Sequence, residues 1–278
     1  MQLARDFRTK KRLGQHFLVE PIALRKITAL LDLKPNESLV EIGPGLGFLT
    51  RFLCTSGADI TAVELDREAI ADLEVLKMPG VNLVHEDFLQ FDLSTIKAPF
   101  KVAGNVPYQI TTPIIARLFG EIGEPQPWFS SIEKVVLTVQ LEVAQRFVAQ
   151  PNSREYSQIT LLTNYFSEAK ILFELSATEF YPPPKVQSAV VEFTPLAKPP
   201  IECTNTKLLR KLIKAGFSQR RKMLRNNLGF LHLSDDAIGQ VFKELSLDPQ
   251  IRAERLTLQT YAALTNKFDV LQKSAATT

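Results

Sequence analysis

Four short stretches of the chain end in residues that could do chemistry, and three of them suit a nucleoside. "VEIGPGLGFLT" (40–50) sets Gly43, Gly45 and Gly47 between a strand-like run and a helix-like one. Glycines there let the backbone approach a ligand and expose the amides of a helix start. The pattern is G-x-G-x-G, with Phe48 where a dinucleotide fingerprint requires glycine, and no Lys-Ser/Thr pair follows. An NAD-linked dehydrogenase and a phosphate-binding loop are both disfavoured. Glu64 closes the second strand-like run, where a carboxylate can take both ribose hydroxyls, and Asp87 closes the third, where it could accept from an exocyclic amine. Alone, each acid is most simply a solvated carboxylate. Together at successive strand ends they point to a nucleoside-bearing cofactor without a pyrophosphate, and S-adenosylmethionine suits that description. The fourth stretch, "GNVPYQITTP" (104–113), follows another apolar run yet holds no His, Cys, Asp, Glu or Lys. It offers only an amide, a proline and a phenol.

The elements that must position these groups alternate. "SLVEIG" (38–43), "DITAVELD" (59–66), "VNLVHED" (81–87), "FKVAGN" (100–105) and "EKVVLTVQ" (133–140) read as strands. Between the first three lie "FLTRFLCTSG", a helix closed by Gly57, and "REAIADLEVL", a second helix. That alternation predicts a parallel sheet covered on both faces. "AKILFEL" (169–175) and "VQSAVVEF" (186–193) read as two more strands around the loop "SATEFYPPPK". "TPLAKPPIECTN" (194–205) is rich in proline and polar residues and marks a domain boundary, giving domains over 1–197 and 198–278. Beyond it, Leu208, Leu209, Leu212, Ile213 and Phe217, then Met223, Leu224 and Leu228, recur at helical spacing, with Gly229 as the expected C-cap.

Composition narrows the class. Apolar residues make up 45% of the 278 and charged ones 23%, as in an ordinary soluble globular protein. No long uncharged apolar run or secretory signal is read, which gives a cytoplasmic protein with no membrane partner. Cys54 and Cys203 lie far apart, and His16, His85 and His232 are scattered, so neither disulfide nor metal-ligand spacing is present. The net charge is only +3, but its distribution is uneven. Arg5, Arg8, Lys10, Lys11 and Arg12 crowd the N-terminus, and residues 203–234 hold eight Lys and Arg without one Asp or Glu. Most charge runs are solvated faces; two one-sign patches in a near-neutral chain favour a polyanionic partner.

"GQHFL", "EIGPGLGFLT", "VELD", "EDF", "GNVPY", "FYPPPKVQSAVV" and "FSQRRKMLRNNL", in that order, closely resemble the ribosomal RNA adenine-N6 dimethyltransferases, specifically the small-subunit (16S) enzymes that dimethylate two adjacent adenosines in the 3′-terminal hairpin loop. The resemblance runs from about residue 10 to "RAERLT" near 257. It implies an α/β class I methyltransferase fold, Rossmann-like, with a mostly parallel seven-stranded sheet and a small helical C-terminal domain. It assigns cofactor contact to His16, Leu18, Gly43, Gly45, Glu64, Asp87 and Asn105. It implies RNA contact by Lys10, Lys11 and Arg12 and, on a helix near 218–226, by Arg220, Arg221, Lys222 and Arg225, with 16S rRNA in the small subunit or its precursor as partner and a monomeric enzyme. Two positions depart from the common pattern: His16 stands where Asn is usual, and Val106 where Leu or Ile is.

That family's reaction makes sense of the neutral tetrad. Methyl transfer from a sulfonium needs neither metal nor covalent intermediate. The adenine amine attacks poorly while its lone pair is delocalised. Two acceptors on its N–H groups favour the pyramidal geometry and stabilise growing positive charge. The resemblance places the Asn105 side-chain oxygen and the Pro107 carbonyl in those roles, with Tyr108 and Phe180 stacking on the two faces of an unstacked base. Pro182, Pro183 and Pro184 stiffen the loop that carries Phe180. Rival readings are a large-subunit rRNA adenine methyltransferase of the antibiotic-resistance type and a non-catalytic RNA-binding assembly factor.

Overall fold

The structure is a computed structural model that describes residues 15–276. It divides into two compact units. The first takes in the chain up to Gly120 with Gln126–Gln145 and Glu168–Pro195, and the second holds Glu121–Pro125, Arg146–Ser167 and the segment from Leu196 onward. The sequence placed one boundary between 197 and 198, whereas two earlier segments also belong to the second unit. They carry the helix Gln158–Phe166 and the turn whose Glu121 and Glu124 pair with Arg210, which a linear reading of composition does not reveal.

In the first unit, β1 (Phe17–Leu18) precedes α1 (Pro21–Leu31), β2 (Ser38–Ile42), α2 (Thr50–Leu53), β3 (Asp59–Glu64), α3 (Arg67–Val75), β4 (Val81–His85), β5 (Phe100–Asn105), α4 (Thr111–Phe119), β6 (Ile132–Gln140), α5 (Leu141–Phe147), β7 (Ser167–Leu175), β8 (Phe180–Tyr181) and β9 (Ser188–Pro195). Seven strands form one sheet in the order β4-β3-β2-β5-β6-β9-β7. Strands β4, β3, β2, β5 and β6 run parallel, and β9 is antiparallel to β6. All five residues of β2 are buried, as expected of a central parallel strand covered on both faces.

Helices cover the sheet because their apolar residues fall on one stripe. In α1 the buried residues are Ala23, Leu24, Ile27 and Leu31, and the helix opens with Pro21 after a Glu20 cap that accepts from Ile22 N. In α3 they are Ala69, Ile70 and Leu73, behind an Asp66 cap. Gly57, at φ 75°, closes the short helical turn after α2 as expected.

The strand order reverses at β2, whose neighbours are β3 and β5. The chain leaves β2 in one direction and later returns on its other side, so the loops after β2 and β5 diverge. A crevice at the carboxyl ends is the geometric result. Closeness there is extreme at Gly104, where a Cβ would lie 2.7 Å from the Ile42 carbonyl oxygen. Only glycine lets β5 approach β2 at this point.

The second unit is helical: α6 (Gln158–Phe166), α7 (Thr206–Ser218), α8 (Asp235–Glu244) and α9 (Leu258–Ala276). Asn205 caps α7 by accepting from Leu208 N, and Leu208, Leu209, Leu212 and Ile213 are buried. Tyr156 and Tyr261 are buried, with hydroxyls donating to the main-chain oxygens of Leu256 and Ala253. The helix expected near 218–226 is absent. Helix α7 stops at Ser218, residues 219–222 turn, and Leu224–Asn227 form one 3-10 turn. The turn brings Leu224 and Leu228 to full burial. Gly229 begins a second 3-10 turn instead of capping a helix, and His232, at φ 54°, takes the left-handed position.

Candidate functional site

The carboxyl ends of β2 to β5 open on one cavity of about 190 Å³. All seven expected cofactor contacts line it: His16, Leu18, Gly43, Gly45, Glu64, Asp87 and Asn105. Pro107 and Tyr108 do so as well.

The glycine turn forms its floor. Gly43 adopts φ 62°, and a Cβ there would meet no protein atom within 4 Å, so the position is open toward the cavity. At Gly45, φ 56°, a Cβ would lie 2.7 Å from the Phe17 ring. The residue must therefore be glycine both for its backbone angle and for space. The amide of Gly45 donates to Glu64 Oε2 at 3.0 Å, and Asp66 N donates to Glu64 Oε1 at 2.8 Å. Glu64 is 7% exposed, and burial pushes its carboxyl above the usual range against the pull of these two bonds. Each oxygen keeps a second lone pair. Asp87 Oδ1 accepts from Leu89 N at 2.9 Å, which fixes the side chain and leaves Oδ2 without a partner among the described residues. A turn that only glycine can make, flanked by two anchored carboxylates with spare acceptors, suits a nucleoside with ribose hydroxyls and an exocyclic amine.

Beneath the turn, Glu41 is 1% exposed, and burial pushes its carboxyl up to about 8. Its Oε2 and the neighbouring Thr50 hydroxyl are both buried without a hydrogen-bond partner. Burial outweighs the downward pull of the Thr50 hydroxyl beside this carboxyl.

At the end of β5, Asn105 is held by its nitrogen. Nδ2 donates to the His16 main-chain oxygen at 2.7 Å. A carbonyl can only accept, so the amide's orientation follows from chemistry: Oδ1 is the free end. The imidazole of His16 is fixed in turn by Nδ1–H donated to the Pro182 oxygen at 2.7 Å. Tyr108 shares a hydrogen bond of 2.7 Å with Ser188 Oγ, and burial pushes its phenol upward, so it stays protonated.

Two expectations at the tetrad need correction. The Pro107 carbonyl is engaged in a turn, accepting from Ile110 N at 3.1 Å. The carbonyl just before it, of Val106, receives no hydrogen bond from the described residues, while Val106 N is bound to the Thr138 oxygen. The Val106 carbonyl, one residue earlier than expected, is thus the backbone acceptor beside Asn105 with both lone pairs free, while Pro107 keeps one. Phe180 does not line the cavity. Its ring is 3% exposed in the core with Leu18, Leu24 and Ile27, because β8 pairs Phe180 with Leu18 and turns it inward.

Of the residues expected to meet RNA, Lys10, Lys11 and Arg12 lie outside the described residues. Arg221, Lys222 and Arg225 are exposed. Arg220 is occupied: Nη2 donates to the main-chain oxygens of Arg154 and Tyr156 at 3.0 and 2.9 Å.

Phe88 and Leu65 also line the cavity and were not singled out from the sequence. Each directly follows a strand-end carboxylate, and that adjacency was the available signal. Among the described residues no cluster could hold a metal ion, and no helix is long and apolar enough to cross a membrane.

Comparison with known proteins accords with this geometry. A family model for ribosomal RNA adenine dimethylases matches residues 6–269. The ribosomal RNA small subunit methyltransferase A of Crocosphaera subtropica is 40% identical over 271 residues, covering 93% of this chain and 98% of its own. Its namesake in Acinetobacter baylyi is 37% identical over 266 residues, covering 94% and 93%. Among solved structures, a dimethyladenosine transferase from Plasmodium falciparum aligns with a TM-score of 0.71 at 21% identity, covering 91% of this chain and 98% of that one. The 23S rRNA methyltransferase ErmE aligns at 0.69 and 22%, covering 91% and 99%. Those two speak to fold alone, the class I methyltransferase fold. With the matched segment running through both compact units, the chain belongs to the ribosomal RNA adenine dimethylase family.

Proposed function

We propose that this S-adenosylmethionine-dependent adenine dimethyltransferase acts on 16S rRNA, in the small ribosomal subunit or its precursor, at the two adjacent adenosines of the 3′-terminal hairpin loop. Small-subunit rRNA is favoured because the relatives of 36–40% identity carry small-subunit names. It acts as a monomer in the cytoplasm, where ribosomes are assembled.

The observation that carries the residue assignment is the tether from Asn105 Nδ2 to the His16 oxygen. It presents Oδ1 as an acceptor on the wall of the cofactor cavity. Oδ1 takes one N–H of the adenine amine and the Val106 carbonyl takes the other. Both contacts strengthen as positive charge grows on nitrogen, so they stabilise the transition state more than the ground state. Tyr108 stacks on the base. The cofactor supplies a methyl group already activated on sulfonium sulfur. Glu64 holds the ribose hydroxyls, Asp87 the exocyclic amine of the cofactor, and Gly43 and Gly45 leave room for its chain. The surplus proton of the methylated amine passes to water, so the site needs no strong base. Alignment of amine and methyl group supplies much of the rate. Arg221, Lys222 and Arg225 hold phosphates, with Lys10, Lys11 and Arg12.

The test is to incubate the protein with labelled cofactor and unmethylated small subunits, then map the modified bases. Two neighbouring dimethyladenosines near the 16S 3′ end are expected. Label confined to large-subunit rRNA, or found on a base other than adenine, would overturn the reading.

A further inference from the structure

We propose that Arg117 is a positioning residue for the base of the cofactor: from α4 it holds the far end of the turn that begins at Asp87, and so aims the carboxylate that meets the exocyclic amine. The inference rests on the assignment of Asp87 to that amine and adds the group that sets it.

The loop after β4 is tied at both ends. At its start Asp87 gathers amides. Its Oδ1 accepts from Leu89 N at 2.9 Å, and its main-chain oxygen accepts from Gln90 N at 2.8 Å and Phe91 N at 3.0 Å. At its end, the main-chain oxygens of Gln90 and Phe91 both accept from Arg117 Nη2, at 3.2 and 2.6 Å. The same two residues thus reach back to Asp87 with their amides and out to Arg117 with their carbonyls. Phe88 and Phe91 are buried, which seats the turn. A guanidinium donates in one rigid plane, so both carbonyls are held in a set orientation to α4.

Arg117 is itself held. The Trp128 ring lies over the guanidinium, with Cζ 4.4 Å from the ring centroid, and the indole Nε1 donates to the Arg117 main-chain oxygen at 3.3 Å. Trp128 is 6% exposed, and Arg117 Nε is buried without a hydrogen-bond partner. An arginine that served only solubility would face water. This one gives up part of its hydration, a cost that the ring contact and the two bonds to the Asp87 turn offset. Helix α4 opens at Thr111, three residues after Tyr108 of the neutral tetrad. Arg117 follows less than two turns later. The tetrad and the clamp on Asp87 therefore share one helix as their frame.

The experiment titrates S-adenosylhomocysteine and S-inosylhomocysteine, which carries an oxygen in place of the amine, into the unaltered protein, Arg117→Met and Arg117→Lys. Methylation of small subunits is followed at varied cofactor concentration. The unaltered protein should bind the adenine compound about 10- to 100-fold more tightly. Arg117→Met keeps an apolar stem beside Trp128 but no donor. Its preference should shrink to about threefold or less, with cofactor KM raised about 10-fold and kcat changed no more than about twofold. Arg117→Lys keeps the charge without the fork and should fall between the two. Equal weakening of both compounds in Arg117→Met, with the preference intact, overturns the inference and makes Arg117 a purely structural residue. Should Arg117→Met fail to fold, an undiminished preference in Arg117→Lys overturns it likewise. No preference in the unaltered protein overturns the Asp87 assignment, and the inference with it, while methyl transfer to the subunits would show that the wider reading stands.

Discussion

The strand-end cavity and the basic turn after α7 work by opposite means. In the cavity every polar side chain that matters is tied down: Glu64 by two amides, Asp87 by one, Asn105 by the His16 carbonyl. At the basic turn, Arg221, Lys222 and Arg225 stand exposed, and their use is charge. Two other cations of the same run are bound up in structure. Arg210 pairs with Glu121 and Glu124, and Arg220 clamps two carbonyls. Aligning a methyl group with a nitrogen demands anchored atoms, whereas attracting phosphates demands only free cations.

The contrast can be broken most strongly at Glu41. A carboxyl raised to about 8 by burial binds its proton in the folded state at pH values where the unfolded chain has released it. Its contribution to stability is full below about 4.5 and is lost as pH rises toward 8, on the order of 5 kcal/mol if the shift is fully expressed. Urea midpoints at pH 5 and 8.5 should therefore fall further in the unaltered protein than in Glu41→Gln. Parallel curves would mean that Glu41 is ionised and satisfied.

Asn105→Ala comes next. It should lower kcat by roughly 10²–10³ with cofactor affinity changed no more than a few-fold, measured by single-turnover methylation and calorimetry. A loss of cofactor binding equal to the loss of rate would move Asn105 out of the chemistry. Glu64→Gln sets an amide nitrogen against the Gly45 or Asp66 N–H. About 1.5–3 kcal/mol of cofactor affinity should disappear, read by the same titration.

The smallest change separates the cations of the basic run. Arg221→Ala with Arg225→Ala should weaken RNA binding and reduce the slope of log K against log salt by about 1.5, leaving cofactor affinity alone. Arg220→Ala should instead lower the melting temperature while keeping the salt slope, since its guanidinium serves the Arg154 and Tyr156 carbonyls. If Arg220→Ala flattened the slope as much as the double change, the division drawn here would fail.

The cavity was legible because strand ends in a parallel sheet converge: once Gly43, Glu64, Asp87 and Asn105 are placed on successive strands, topology brings them together. Distinctions finer than a strand end were not legible. Whether the Val106 or the Pro107 carbonyl is free depends on a turn bond to Ile110, and whether Phe180 faces core or cavity depends on its pairing with Leu18, far away in the chain. The basic run misled for a related reason. An acid-free window says nothing of Glu121 and Glu124, which reach Arg210 from more than 80 residues away. The sheet core itself, with Leu39, Val40 and Ile42 of β2 buried together, was the most readable part.

The tether between Asn105 and the main chain of His16 gives the beginning of the described chain a share in the reaction. Were the polypeptide severed after Leu18, the seven-stranded sheet would keep all its strands, and β8 would lose its two-residue partner β1. The carboxamide, however, would be free to rotate half a turn and offer hydrogens to an amine that needs an acceptor. Such a clipped protein should keep its seven-stranded sheet, melt lower for want of the buried Phe17 and Leu18, and lose methyl transfer out of proportion to that loss of stability.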